Sequence, residues 1–195
     1  MVRPRRLIYG VGINDADYPT QRKNPYWKCP YRQRWKCMLE RCYSTKFHLN
    51  RPTYIGCGVC EDWKTFSNFR KWLISQEELH GSLDGLHLDK DIIDPDNKIY
   101  SPDKCAFVSG VVNTFVTDRG DDRGEYPLGV CLRPSGRYQS QCGNPFIGEQ
   151  ITLGTFNTPE EAHEAWRNCK HGFACQLADI VKDVRVAEAL RLRYR

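Results

Sequence analysis

The sequence lacks the long apolar segments that mark membrane proteins and secretory leaders. No stretch approaches the roughly 20 apolar residues that would span a bilayer. The N-terminus begins Met1-Val2-Arg3-Pro4-Arg5-Arg6, and no apolar run of about 7–15 residues follows it. Internal repeats and low-complexity runs are also missing. We therefore expect a cytoplasmic protein without a membrane partner.

The composition is not that of a disordered chain either, because 40% of the 195 residues are hydrophobic and 12% are aromatic. This content is enough for one ordinary core or two small ones. The ten cysteines would favour a disulfide framework in a secreted protein. In the reducing compartment expected here, they favour metal ligation or plain burial.

The positive charge is concentrated near the N-terminus. The first 46 residues carry 11 of the 29 Lys and Arg residues but only 3 of the 24 acidic residues. Four aromatic residues are interleaved with these cations, namely Tyr26, Trp27, Tyr31 and Trp35. Such a segment suits a nucleic-acid backbone, because cations release counterions from phosphates and aromatic rings stack or anchor. A solvated helix face would show the same charge pattern.

Gly, Pro and polar residues divide the sequence into five segments. They predict an irregular N-terminal arm over 1–30 and a polar, glycine-containing linker over 117–125. The first domain, 31–116, opens with an amphipathic helix whose apolar residues recur every three or four positions. A second domain over 126–178 and a helical tail over 179–195 complete the chain.

The second domain has a clear pattern of strands and one helix. Short strands are predicted over 128–133, 137–142 and 151–156. The helix begins with a capping box, because Thr158 stands three residues before Glu161. An apolar stripe along this helix would pack on the sheet. The predicted fold class is therefore α+β.

The clearest metal signal is Cys57-Gly58-Val59-Cys60, since two thiolates on one tight turn can bind a single tetrahedral zinc ion. Cys42 and Cys105 are the preferred remaining ligands. The possible substitutes are Cys29, Cys37 and His48. A zinc ion would help to replace the limited core of a small domain. The alternative is that these thiols are small buried hydrophobic groups.

An acidic cluster follows in a predicted short strand over Leu86–Ile93. Its alternation would place His87, Asp89 and Asp91 on one face. An imidazole beside two carboxylates suits a magnesium ion that promotes hydrolysis. Acidic residues at the end of a strand are more often simply solvated.

Four ordered motifs resemble phage HNH-type homing endonucleases over roughly residues 9–115. The motifs are Trp35-x-x-Met38-Leu39-x-Arg41-Cys42-Tyr43, Cys57-x-Val59-Cys60-x-x-Trp63-x-x-Phe66-x-x-Phe69, Leu88-Asp89-Lys90-Asp91-Ile92 and Tyr100-Ser101-Pro102-x-x-Cys105. The resemblance implies a zinc-stabilised HNH domain of the ββα-metal type. In that family an Asp holds a divalent cation, an adjacent His activates water, and a later Asn orients the site.

By position, Asp89 matches the metal-binding Asp and would hold Mg²⁺ or Mn²⁺, and Asn113 matches the later polar residue. Lys90 stands where the general-base His is expected, and Lys104 where many relatives have Asn, although His87 could replace the base. The candidate catalytic residues are His87, Asp89, Lys90, Asp91 and Asn113. Losing a positioned base costs about 10²–10⁴ in rate. The resemblance thus implies either a slow endonuclease or a catalytically degenerate DNA-binding or regulatory phage protein.

The second domain resembles the ethylene-response-factor type of DNA-binding domain, a module that phage homing endonucleases often carry. Its motifs are Gly129-Val130-x-x-Arg133-x-x-Gly136-Arg137-Tyr138-x-x-x-Cys142, Leu153-Gly154-Thr155-Phe156-x-Thr158-x-Glu160-Glu161-Ala162 and Ala165-Trp166. The resemblance implies a three-stranded antiparallel sheet packed on one helix, with the sheet in the major groove of double-stranded DNA. The implied DNA contacts are Arg133, Arg137, Tyr138, Gln139 and Gln141. A small α+β domain that binds protein is the alternative.

Together the two resemblances predict a site-specific homing endonuclease in a phage-infected bacterial cell. The first domain would cut DNA, and the second would help to choose the site. Further DNA contacts are predicted in the first domain at Arg32, Arg34, Lys36, Arg41 and Lys104. The sequence indicates no protein partner.

Overall fold

A computed structural model describes residues 7–117 and 125–195 of the chain. The chain divides into two compact units, the first formed by Met1–Asp84 with Asp94–Ala106 and the second by Gly85–Ile93 with Phe107–Arg195. Most of the linker predicted at 117–125 lies outside the described residues. The segment 31–116, predicted as one domain, contributes to both units.

The first unit opens with a β hairpin and a long helix. Strands β1 (Gln21–Lys23) and β2 (Tyr26–Lys28) pair in antiparallel fashion. The arm predicted as irregular over 1–30 therefore contains regular structure, because three residues on each side of Asn24-Pro25 form a ladder. Helix α1 (Pro30–Tyr43) buries three residues of the apolar stripe expected from Tyr31, Trp35, Met38 and Cys42; Tyr31 is only partly buried, and Leu39 is buried in addition.

Aromatic residues form a large part of the core of the first unit. A short helix α2 (Thr45–Asn50) and strand β3 (Gly58–Val59) lead to helix α3 (Phe66–His80). The Trp63 and Phe69 rings meet edge to face with centroids 4.9 Å apart. The aromatic residues that recur at three-residue intervals from Trp63 to Trp72 are expected to be core residues; Trp63, Phe66 and Phe69 are buried, whereas Trp72 is only partly buried.

The next strands alternate between the two units. Strand β4 (Leu86–Asp89) belongs to the second unit, whereas β5 (Ile99–Tyr100) belongs to the first and pairs in parallel with β3. Strand β6 (Ala106–Ser109) pairs with β4 and leads directly into helix α4 (Gly110–Val116). In the second unit, the paired strands β4 and β6 are therefore followed by helix α4, whereas β5, which lies between these strands in sequence, belongs to the first unit.

The rest of the second unit is a three-stranded antiparallel sheet with two helices. The strands β7 (Val130–Leu132), β8 (Tyr138–Gly143) and β9 (Gln150–Phe156) lie in that order. Helix α5 (Pro159–Ile180) packs on the sheet, and helix α6 (Val184–Leu192) packs on α5. The predicted capping box at the start of α5 is confirmed. Over residues 7–117 and 125–195, no helix has the length and hydropathy that a membrane crossing needs.

Contacts far apart in sequence place α4 in the second unit. The Tyr194 hydroxyl donates to the Phe115 carbonyl over 3.4 Å, and the Arg193 guanidinium donates to the Val116 carbonyl over 3.2 Å. The Lys170 ammonium lies 3.7 Å from the centroid of the Phe115 ring. The end of α4 is therefore held by residues that follow the sheet, which sequence proximity alone does not reveal.

Candidate nucleic-acid interface

The central strand β8 has a buried face and an open face. Ser140 and Cys142 are 0% and 1% exposed. Because successive side chains of a strand point to opposite faces, Gln139 and Gln141 lie on the other side. Both glutamines are only partly buried. Two of the predicted DNA contacts therefore share one accessible face of the sheet.

Strand β9 completes this open face with hydroxyl groups. Thr155 pairs with Gln139, and Thr152 pairs with Gln141. The Gln139 amide donates to the Thr152 hydroxyl over 3.4 Å, which steadies both side chains. Amides and hydroxyls both donate and accept hydrogen bonds, so the face can pair with the mixed pattern of groups on base edges. The two exposed threonines were missed from the sequence, because strand alternation places residues three apart on opposite faces and only the register shift at Ser140/Gln141 brings both to this one.

Two arginines flank the turn that joins β7 to β8. The backbone amide of Arg133 donates to the Arg137 carbonyl over 2.9 Å, which closes the turn. Both arginines are exposed. The Arg137 guanidinium also donates to the Thr155 carbonyl over 2.8 Å, which holds it at the edge of the open face. The sheet thus carries cations at its hairpin and neutral polar groups along its strands.

Tyr138 occupies a different place from the other predicted contacts. By strand alternation it lies on the face of Ser140 and Cys142, and its ring meets Tyr126 edge to face at 5.3 Å between centroids. The structure therefore brings Arg133, Arg137, Gln139 and Gln141 to the hairpin and open face, but not Tyr138. Sequence position alone did not separate the two faces of the strand.

Helix α5 packs against the buried face of the sheet. Gly129 has a φ of +77°, and a Cβ placed there would overlap the indole of Trp166. Beside it, the His163 ring stacks on Trp166, and its Nδ1 lies 2.9 Å from the Leu128 carbonyl oxygen. A glycine is required at this position by both its backbone conformation and the close approach of the helix. The start of β7 is consequently held against α5.

The predicted catalytic strand ends in a tight turn. Asp89 Oδ1 accepts the backbone amides of Asp91 and Ile92 over 2.9 and 2.7 Å. This local capping ends β4 at Asp89, so Asp91 lies in the turn and not on the strand face predicted for it. Burial, together with the nearby Asp91 carboxylate, raises the pKa of Asp89.

The remaining predicted catalytic residues lie on or directly after β4, or on α4. The Lys90 side chain is buried, and its ammonium forms an ion pair with Asp91 over 2.7 Å. His87 is exposed on β4, and a Cβ at Gly110 would lie 3.5 Å from its Nε2, so the ring faces the start of α4. Asn113 is half-buried on α4. A paired cation thus occupies the position expected for the base.

The predicted zinc ligands come from three chain segments that hydrogen bonds hold together. The backbone amide of Cys60 donates to the Tyr100 carbonyl over 2.9 Å, and that of Val59 donates to the Tyr43 hydroxyl over 3.0 Å. These bonds align the 57–60 turn with the end of α1 and with β5. Three of the ligands, Cys42, Cys57 and Cys105, are buried. Burial also raises the pKa of the half-buried Cys60 thiol.

Metal coordination nevertheless stays a prediction. Within the part of the chain that the structure describes, no group of three or more His, Cys, Asp or Glu side chains is arranged to hold a metal ion. This holds for the four-cysteine site and for the surroundings of Asp89. Direct metal analysis is needed for the first, and a cleavage assay for the second.

Two of the predicted DNA-binding cations of the first domain have structural partners. The Arg34 guanidinium donates to the Leu83 carbonyl over 2.6 Å. The Lys104 ammonium pairs with the Asp94 carboxylate over 2.8 Å and lowers its pKa. These interactions join segments of the first unit. Both cations therefore already have a role within the protein.

The other three cations lie on α1. Arg41 is mostly buried, hydrogen-bonds to the Tyr100 hydroxyl and lies over the Tyr54 ring with 6.0 Å to its centroid. Arg32 and Lys36 are one helical turn apart and line a groove of about 870 Å³ together with residues 7–10. Only these last two share an accessible surface, so the predicted basic face of α1 is smaller than the sequence indicates.

Comparison with known proteins gives one partial similarity. A stretch of 42 residues is 45% identical to the ethylene-responsive transcription factor ERF116 of Arabidopsis thaliana. The match covers 22% of this chain and 15% of the plant protein, so only a small part of that relative is represented. No family model and no solved structure matches the chain.

Proposed function

We propose that this protein binds double-stranded DNA through the three-stranded sheet of its second unit. The observation that carries the proposal is the open face of β8 and β9, where Gln139 and Gln141 lie beside Thr152 and Thr155. The partial similarity to a plant transcription factor supports it. The endonuclease resemblance of the first domain is not needed for this proposal.

The chemistry of the open face suits the major groove of DNA. A glutamine amide can form a bidentate pair with adenine, in which its N–H donates to N7 and its oxygen accepts from the N6 amino group, and a threonine can hydrogen-bond to either member of a base pair. The exposed arginines at the β7–β8 turn suit phosphates or guanine. Phosphate contacts fix the position of a protein on DNA, whereas base-edge contacts select the sequence. Both kinds of group are present on this sheet.

Fluorescence anisotropy with labelled duplex DNA tests the proposal. The double variant Gln139→Ala/Gln141→Ala should weaken binding to the preferred sequence by about 30-fold or more, because each good bidentate contact contributes about 1–3 kcal/mol of discrimination and two are removed. Gln176→Ala is the matched control, since Gln176 is exposed on α5. Equal affinity of the double variant and the control for the preferred sequence would contradict the proposal.

A second candidate function is metal-dependent cleavage of DNA. The order of β4, β6 and α4, with His87, Asp89 and Asn113 on them, favours it because it corresponds to the arrangement that the HNH resemblance implies. The surroundings of Asp89 fit a divalent cation poorly. Its Oδ1 already accepts two backbone amides, and the neighbouring Asp91 carboxylate is already paired with the Lys90 ammonium. We therefore place DNA binding without catalysis first.

Incubation with DNA separates the two candidates. The protein and an Asp89→Ala variant are each mixed with DNA that flanks their own gene, in the presence of Mg²⁺ or Mn²⁺. We expect both proteins to bind and neither to cut. Cleavage by the unaltered protein that is lost in Asp89→Ala would establish the endonuclease and overturn our order of preference.

A further inference from the structure

The hairpin formed by β1 and β2 is an exposed aromatic and basic element of the first unit. Its sequence over 21–28, Gln-Arg-Lys-Asn-Pro-Tyr-Trp-Lys, contains three cations and no acidic residue. All six strand residues are exposed. The Tyr26 ring is 72% exposed and that of Trp27 is 40% exposed. Large aromatic side chains at such exposure commonly mark interaction sites.

The pairing register divides the hairpin into two unlike faces. Lys23 pairs with Tyr26, and Gln21 pairs with Lys28. Residues that pair directly project to the same side of a ladder, as do residues two apart on one strand. Lys23, Tyr26 and Lys28 therefore form one surface, which we call the lysine face. The Lys28 ammonium lies 5.3 Å from the Tyr26 ring centroid.

The opposite face of the hairpin has a single cation with an aromatic partner. Arg22 pairs with Trp27 across the ladder. Its guanidinium lies over the Trp27 ring with 5.9 Å to the centroid. The two faces thus carry the same kinds of group within one small element, which provides an internal control for experiments.

We propose that the lysine face is a second contact surface for duplex DNA. Lys23 and Lys28 would bind phosphates on either side of Tyr26, whose ring would pack against the sugar and base edges between them. Diagonal neighbours in a ladder are about 7–8 Å apart, a separation that lysine side chains can adjust to nearby phosphates. This inference rests on the proposed function, because it presupposes DNA as the ligand.

Charge complementarity points to DNA as the occupant of this face. Within the described residues, the sheet of the second unit presents two arginines at its hairpin, and contacts of Lys and Arg with phosphates supply a large share of the affinity of DNA-binding proteins. In the first unit, Arg34, Arg41 and Lys104 already have partners. The exposed hairpin cations are therefore suited to supply phosphate contacts, beside Arg32 and Lys36 on the accessible part of α1.

Salt dependence of binding tests the inference directly. Affinity of the full-length protein for a labelled duplex is measured by anisotropy between 50 and 200 mM salt, roughly the range in which phosphate contacts dominate. Lys23→Gln and Lys28→Gln should each lower the slope of log affinity against log salt by about 0.9. Tyr26→Ala should weaken binding with little change in slope, because it removes apolar contact area and no charge. Arg22→Gln removes the same charge from the opposite face and should leave the slope unchanged.

Each outcome separates the hairpin from the sheet. Unchanged slopes in both lysine variants, with binding still lost in Gln139→Ala/Gln141→Ala, would overturn the hairpin contact and leave the proposed function intact. An equal loss for Arg22→Gln and Lys23→Gln would overturn the assignment to one face. Displacement of the duplex by polyglutamate as readily as by unlabelled DNA would show an acidic polypeptide to be the partner. Absence of binding to any duplex by the unaltered protein would overturn the proposed function and this inference together.

Discussion

Substitution of Gly129 tests whether α5 holds the three-stranded sheet of the second unit as described. Gly129 and Gly136 have almost the same left-handed backbone, with φ of +77° and +78°. They differ in their surroundings, because a Cβ at Gly129 would overlap the Trp166 indole, whereas no heavy atom lies within 4 Å of one at Gly136. The pair therefore separates backbone strain from packing.

The expected losses in the free energy of unfolding follow from backbone strain and from packing. A left-handed alanine costs about 1–2 kcal/mol, which is the full expected effect of Gly136→Ala on the free energy of unfolding. Overpacking adds about 1–3 kcal/mol at Gly129. Gly129→Ala should therefore lower the free energy of unfolding by about 2–5 kcal/mol. Removing the indole with Trp166→Ala should abolish the additional cost, because the two residues are then no longer in conflict.

Urea unfolding followed by far-ultraviolet circular dichroism measures these differences. The 22-residue helix α5 makes the second unit prominent in that signal. The four proteins to be compared are Gly136→Ala, Gly129→Ala, Trp166→Ala and the Gly129→Ala/Trp166→Ala double variant. If Gly129→Ala costs no more than Gly136→Ala, the close packing of β7 against α5 is refuted.

Three further predictions concern single buried or metal-binding groups. Ser140→Ala should leave the free energy of unfolding unchanged or raise it by up to about 1 kcal/mol, because the buried Ser140 Oγ has no hydrogen-bond partner among the described residues. A lower free energy of unfolding in urea would contradict this prediction and reveal a partner. Asp89→Asn keeps the Oδ1 acceptor and removes a charge. Since the folded-state pKa of Asp89 is raised, its contribution to stability is present below the unfolded pKa near 3.9 and is lost as pH rises through the folded value. Asp89→Asn should therefore stabilise the protein more at pH 7 than at pH 4 in thermal unfolding; the opposite order would contradict this. Metal analysis of reduced protein should find about one zinc per chain if the predicted cysteine site binds it, and fewer than about 0.2 equivalents would exclude that site.

Local features of the fold were predictable from the sequence. The capping box of Thr158 and Glu161 involves residues three apart, so its hydrogen bonds are visible in the order of residues alone. The apolar stripe of α1 likewise reflects helical periodicity. The strands of the second domain are bounded by turn residues and lie within one or two positions of their predicted limits. These features depend on neighbours within a few residues.

Features that depend on distant partners were not predictable in this way. Arg34 resembles a surface cation in sequence, but its partner, the Leu83 carbonyl, is 49 residues away. Arg41 is similarly engaged with Tyr100. The division into units depends in part on Tyr194 and Phe115, which are 79 residues apart. Charge and periodicity identify which residues are able to bind DNA, whereas tertiary contacts decide which remain accessible.

The alternation of β4 and β5 between the two units has a consequence for folding during synthesis. As the chain leaves the ribosome, β4 emerges before β6 and α4, its later neighbours, have been made. The first unit likewise remains incomplete until β5 has been made, because β5 emerges after β4 and pairs with β3. Domains usually fold one after another as they emerge. Here the order is interleaved, so neither unit can be completed while the segment between residues 85 and 106 is still being translated.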